Sequence, residues 1–285
     1  MKPALAALAS LCAVALALPA HSGTLDRIRQ NKKLVAGYRA DARPLSYQES
    51  GHAEGYSVSL CEQVALALRA ELGLAKLPIQ WVKVESGERF EGLQSGRIDL
   101  LCGAASDTLE RRKQVSFSLP IYLTGISVLV RSDAPASLQR AFDGEGDLAR
   151  LPIGPVFSAQ QGTTAAAWLA ERGREAKRVP VASYAEGVER VLAGTSDALF
   201  GDRAILLDTI SRNPRAGELA IMRRLFTEET IALASARGDA DFQLAVDRAL
   251  SHMYRTPKFW EIYGIFFGKP DADARTFFLL AARPD

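Results

Sequence analysis

Residues 99–114 read DLLCGAASDTLERRKQ. An apolar run, Ile98–Leu101, predicts a buried strand that ends in small residues. Asp107 followed by Glu110 then forms a capping pattern before the short helix LERRKQ. Strand, small turn and helix make the repeating unit of an α/β fold. The polar residues Ser106 and Arg111 follow the strand, and in open α/β sheets that is the side where ligands bind.

Working outward, the same alternation runs along the chain. On the amino-terminal side, Thr24 opens a short helix, TLDRIRQN, and Lys33–Tyr38 (KLVAGY) reads as a strand. Tyr56–Leu74 carries Leu60, Val64, Leu68 and Leu72 at helical spacing, and Ile79–Val84 alternates as a strand. Arg89–Gln94 is a short helix ending at Gly96. On the carboxyl-terminal side, strands are expected at Gly125–Arg131, Leu151–Val156, Val179–Ala182, Ala198–Phe200 and Glu229–Ser235. Helices are expected at Ala165–Arg172, from the Ser183/Glu186 capping box to Leu192, at Asp241–Tyr254 and at Lys258–Gly264. The tail Arg275–Asp285 carries no clear pattern.

The 285 residues suit roughly two domains, and 48% apolar with 24% charged residues is ordinary for a globular protein. A formal charge of +2 is too balanced for a nucleic-acid binder. Residues 1–22, MKPALAALASLCAVALALPAHS, have the layout of a secretory signal peptide: Lys2, an apolar run, then small residues ending at Ser22. Leu11 before Cys12 does not suit a lipobox. The remainder holds no membrane-length apolar stretch and is expected to be a soluble, exported monomer. Cys61 and Cys102 remain after processing and are read as buried free thiols, although an oxidising compartment also permits a disulfide. A chain of this length does not need a disulfide to fold. No cofactor motif is present, and the scattered His21, His52 and His252 argue against a metal site. Gly144-x-Gly146-x-x-Ala149 lacks the strand and helix a dinucleotide fingerprint requires. The carboxylate pairs Glu228/Glu229 and Asp239/Asp241 read as solvated turn residues.

Chemistry gathers at the strand ends: Arg39, Ser86 and Arg89, Ser106 and Arg111, Thr163, and Asp202. Three arginines, three hydroxyls and one acid suit a small molecule with more than one negative group and one positive group. Gly162-Thr163-Thr164 at a helix start offers backbone N–H donors to a carboxylate, and Asp202 can accept from an ammonium. Each residue also has a plainer reading: Arg111-Arg112-Lys113 as one solvated face, Thr163 as a simple cap, Asp202 as a turn residue. Their recurrence at successive strand ends favours the pocket.

Gly55-Tyr56-Ser57, LQSGRIDL (93–100), TLER (108–111) with Phe117-Ser118, QGTT (161–164) and Leu192-Ala193-Gly194 with Asp197-Ala198 resemble the family 3 periplasmic solute-binding proteins of polar amino acid ABC importers. TLDRIRQNKKLVAGYR and the opening segment are most similar to the glutamate/aspartate-binding members. The resemblance implies a two-lobed, type II-like Venus-flytrap fold with two crossover hinge strands near 125–130 and 229–234. It implies one lobe of 23–127 plus 229–285 and a second of 128–228. It further implies that Arg111 clamps an α-carboxylate with Thr163 and an amide near Ser106. Asp202 takes the α-ammonium, and Arg39, Arg89 and Ser86 hold a side-chain carboxylate. Ala104 and Tyr184 stand where those members carry a hydroxyl residue and a histidine. The implied function is capture of L-glutamate or L-aspartate for a membrane permease. An enzyme on the same fold, of the cyclohexadienyl dehydratase kind, and a ligand-sensing receptor module are the alternatives.

Overall fold

A computed structural model describes residues 23–144, 154–172 and 176–284. The leader reading of 1–22, most of the Gly144–Ala149 pattern and the start of the expected strand at Leu151 lie outside the described residues.

The chain begins with α1 (Thr24–Asn31), β1 (Leu34–Tyr38) and a small antiparallel sheet of β2 (Asp41–Ala42), β3 (Ser46–Glu49) and β4 (His52–Glu54). Then follow α2 (Tyr56–Glu71), β5 (Ile79–Lys83), α3 (Arg89–Gln94), β6 (Leu100–Leu101), α4 (Leu109–Arg112) and β7 (Val115–Thr124). The middle of the chain supplies β8 (Ile126–Arg131), α5 (Ala136–Asp143), β9 (Val156–Gln160), α6 (Thr164–Arg172) and β10 (Lys177–Val181). It continues with α7 (Tyr184–Leu192), β11 (Ala198–Asp202), α8 (Arg203–Ser211) and β12 (Leu219–Ile221). Last come β13 (Glu229–Ala236), α9 (Ala240–Tyr254), α10 (Pro257–Phe267) and α11 (Ala272–Ala281).

Among the described residues these strands build two five-stranded sheets, ordered β5-β1-β6-β13-β7 and β10-β9-β11-β8-β12. Each has a parallel half, β5-β1-β6 or β10-β9-β11, and an antiparallel half closed by strands leaving or re-entering the lobe. This is the two-lobed Venus-flytrap architecture. β7 lies in the first sheet and β8 in the second, while β13 returns the chain to the first. Ile126 already pairs with Asp202 in the second sheet, and Glu229 pairs with Thr124 in the first. The two crossings nearly touch: a Cβ on Gly125 would lie 1.9 Å from the Thr227 carbonyl oxygen, so only glycine fits.

Packing explains the helices. Leu60, Val64 and Leu68 of α2 bury one face at the expected spacing and Tyr56 extends it, while the helix ends at Glu71 and leaves Leu72 as its cap. In the second lobe Phe142, Phe157 and Phe200 meet one another in edge and tilted ring contacts, Trp168 stacks on Phe200, and Phe226 meets Phe142, Trp168 and Phe200 edge-on or tilted. The free-thiol reading is overturned: Cys61 on α2 and Cys102 after β6 are joined in a disulfide, Cα atoms 6.1 Å apart. Their distance in sequence concealed a contact that helix-on-sheet packing creates. The tail without a pattern holds a helix, α11, capped by Asp271 accepting from the Ala274 amide.

Candidate functional site

The carboxyl ends of the parallel strands from both lobes face one another, and most of the expected residues meet there. A cavity of about 20 Å³ is lined by Arg39, Arg89 and Arg111, and by Ala104, Ser106 and Ile231 from the first lobe. Thr163, Tyr184 and Asp202 close it from the second. Ser86 stands behind this wall and orients Arg89. Among the described residues no group of His, Cys, Asp and Glu is placed to hold a metal ion.

Arg89 opens α3, and its side chain is 2% exposed. One terminal nitrogen donates to Ser86 Oγ at 3.1 Å and the other to the Gly162 carbonyl oxygen at 3.1 Å. Its Nε has no partner. Burial, reinforced by the charges of Arg111 and Arg39, pulls its pKa well below the usual guanidinium value. Among the described residues no carboxylate accepts from it, so a buried cation borders the cavity with unfilled donor capacity.

Arg111 sits on α4, whose cap is Thr108 rather than the expected Asp107; Asp107 is paired with Arg112. Arg111 donates to the carbonyls of Ser106 (3.0 Å) and Gly162 (3.2 Å). Arg112 and Lys113 do form a solvated face with Asp107 and Glu110, but Arg111 turns away from it. Gly162 thus receives guanidinium donors from two residues of the opposite lobe. Thr163 caps α6, accepting from the Ala166 amide at 3.2 Å, while its hydroxyl donates to Gln160. The plain-cap reading is true as well, and it fixes the loop that bears Gly162.

Arg39 follows β1 and is 1% exposed. Its Nε and Nη2 both donate to Asp41 Oδ1, at 3.0 and 2.7 Å. Nη2 also reaches Gln160 Oε1, across the cleft, at 2.7 Å. Gln160 completes the loop by donating to Asp41 and to the Ala182 carbonyl. Sequence patterns mark neither Asp41 nor Gln160; a bend at Ala40 between β1 and β2 brings Asp41 back to Arg39.

Asp202 ends β11 and caps α8, accepting from the amides of Ala204 (2.9 Å) and Ile205 (3.3 Å). Burial pushes its carboxyl up to about 7; the helix amides and Thr124 oppose the rise, and the Glu229 charge adds to it. Its own amide donates to Tyr184 Oη at 3.3 Å. Gly201 makes that contact possible, since a Cβ there would lie 2.4 Å from the Tyr184 ring. Glu229 is not a solvated turn residue. It is 9% exposed, lies on the returning strand β13, and accepts from Thr164 Oγ1 (2.9 Å) and Thr227 Oγ1 (2.8 Å). Its neighbour Glu228 is exposed, which an adjacent pair of acids does not reveal in sequence.

With this geometry in place, comparison with known proteins is consistent throughout. Residues 34–269 match the model of bacterial extracellular solute-binding proteins, family 3. An L-glutamate/L-aspartate-binding protein of Pseudomonas aeruginosa is 27% identical over 87% of this chain and 81% of its own length. An ABC transporter glutamine-binding protein of Bacillus subtilis is 28% identical over 84% and 83%. Among solved structures, the L-cysteine solute receptor of Neisseria gonorrhoeae superposes with a TM-score of 0.75 at 22% identity, covering 88% of this chain and 98% of that one. An ancestral amino acid-binding precursor of cyclohexadienyl dehydratase gives 0.74 at 24%, covering 86% and 100%. These two establish the fold alone. The chain belongs to the family 3 bacterial extracellular solute-binding proteins, which serve amino acid ABC importers.

Proposed function

We propose that this protein captures an acidic amino acid, L-glutamate or L-aspartate, between its lobes and delivers it to a membrane permease. The export signal read in residues 1–22 would place it in the periplasm. The observation that carries the ligand class is Arg89: a buried guanidinium that no carboxylate among the described residues satisfies, beside a cavity that also receives Arg111. In this reading Arg111 takes the α-carboxylate, with the α6 start at Thr163 and the backbone near Ser106. Asp202 takes the α-ammonium. Arg89, steadied by Ser86 and flanked by Arg39, takes the side-chain carboxylate.

A cavity of about 20 Å³ accommodates little more than one water, so an amino acid enters only when the lobes part. The hydrogen bonds from Arg89 and Arg111 to Gly162 then exchange for bonds to the ligand. Ligand and hinge together select the closed surface that the permease meets. Isothermal titration of the protein with the twenty amino acids tests this. Tightest binding of glutamate or aspartate is expected; tighter binding of an uncharged or basic amino acid overturns it.

One observation favours the enzymatic alternative: a carboxyl near 7 in a cleft is suited to general acid catalysis. Incubation with prephenate or arogenate and an ultraviolet readout of the aromatic product separates the two readings.

A further inference from the structure

Arg39 and Arg89 are both buried arginines at the same cavity, yet their surroundings differ. Arg39 is held by a carboxylate of its own lobe, two residues away, through two hydrogen bonds to one Asp41 oxygen. Asp41 begins β2, where pairing of Asp41 with Tyr47 fixes the strand, and the Arg39 backbone is tied in turn to the Ser46 hydroxyl. The ion pair therefore belongs to the local structure of the first lobe and persists when the lobes separate. Gln160 of the second lobe joins it on closure, accepting from Arg39 and donating to Asp41. Among the described residues Arg89 donates to a hydroxyl and a carbonyl and lies over the Phe90 ring, and its Nε is unpartnered.

We propose that Asp41 is a specificity-determining residue: by holding Arg39 in an internal ion pair it leaves Arg89 to face the ligand's side-chain end, which moderates the preference for a carboxylate over the corresponding amide. The inference rests on the acidic amino acid reading above. An unpaired guanidinium attracts an anion as a full charge, whereas a guanidinium bound to its own carboxylate acts on it as a dipole whose field falls off faster. A side-chain amide has no net charge, so it gains little when a second guanidinium is freed. Asp41 acts through Arg39 and touches the ligand only indirectly; it is a positioning residue. A merely structural effect, such as loss of the Gln160 contact across the cleft, changes closure for every ligand alike and leaves the ratio between two ligands of one shape unmoved.

Titration of the full-length mature chain and its Asp41→Asn and Asp41→Ala variants with glutamate, glutamine, aspartate and asparagine tests the assignment. The glutamate-over-glutamine affinity ratio is expected to rise at least about tenfold in both variants. It should return to within about threefold of the wild-type ratio in the Arg39→Gln/Asp41→Asn double variant. A ratio unchanged within threefold in both single variants, in a wild type that does bind acidic ligands, overturns the role of Asp41 alone. A wild type that retains none of the four overturns the functional reading and this inference together.

Discussion

Gly162 and Ser86 approach so closely across the cleft that a Cβ on Gly162 would lie 2.8 Å from the Ser86 carbonyl oxygen. Gly162 also has φ of +74°, a conformation that side-chain-bearing residues adopt at a cost of about 1 kcal/mol or more. Its own carbonyl meanwhile accepts from Arg89 and Arg111. Closure of the two lobes thus runs through one residue that has no side chain.

Gly162→Ala is accordingly expected to hinder closure more than folding. Affinity for the ligand should fall at least about tenfold, and unfolding free energy by roughly 1–2 kcal/mol. Titration calorimetry reads the first and thermal denaturation the second. Small-angle scattering should show less compaction on ligand addition than in the wild type.

In the proposed binding mode, Arg111→Ala and Asp202→Ala each leave an opposite charge of the ligand unpaired in the closed cleft. Each is expected to weaken binding by more than about 2 kcal/mol. Near-normal titration curves for both would refute the roles assigned to the α-carboxylate and α-ammonium partners.

With Asp202 as the proposed ammonium partner, binding is expected to depend on pH. Its carboxyl lies at about 7 in the folded protein, against about 3.9 for a free aspartate. Between those values the folded chain holds more protons than the unfolded one, so this group's contribution to stability falls as pH rises from about 4 to about 7. An arriving ammonium favours the ionised form and reverses the preference. Affinity should therefore drop by up to roughly tenfold for each pH unit below 7, with about one proton released per ligand at pH 6. Calorimetry in buffers of different ionisation enthalpy measures both, and Asp202→Asn should abolish the proton release.

Reduction of the Cys61–Cys102 bridge, which spans 41 residues, should cost about 2–4 kcal/mol. A melting temperature lower by roughly 5–15 °C is the expected reading of a Cys61→Ala/Cys102→Ala variant. The bridge ties α2 to the chain just after β6 and contributes no group to the cavity, so ligand affinity at 20 °C should stay within about threefold.

Local patterns made much of the fold legible. The Leu60/Val64/Leu68 spacing marked α2, and the Ser183/Glu186 capping box marked α7, where the Ser183 hydroxyl does accept from the Glu186 amide. The ten-residue strand β7 escaped notice because Pro120 interrupts it and its burial does not alternate cleanly. Of the cavity, the charges at strand ends were legible; Gln160 and Glu229 were not, because their partners come from distant segments, and Asp41 was not, because a bend at Ala40 turns it onto Arg39.

Sequence by itself determined which residues stand at the carboxyl ends of the strands, since period and capping are local properties of the chain. Only the tertiary structure decided which guanidinium is neutralised and which is left without an acid. That depends on burial and on what crosses the cleft to meet it, and both arise when the two lobes come together over Gly162.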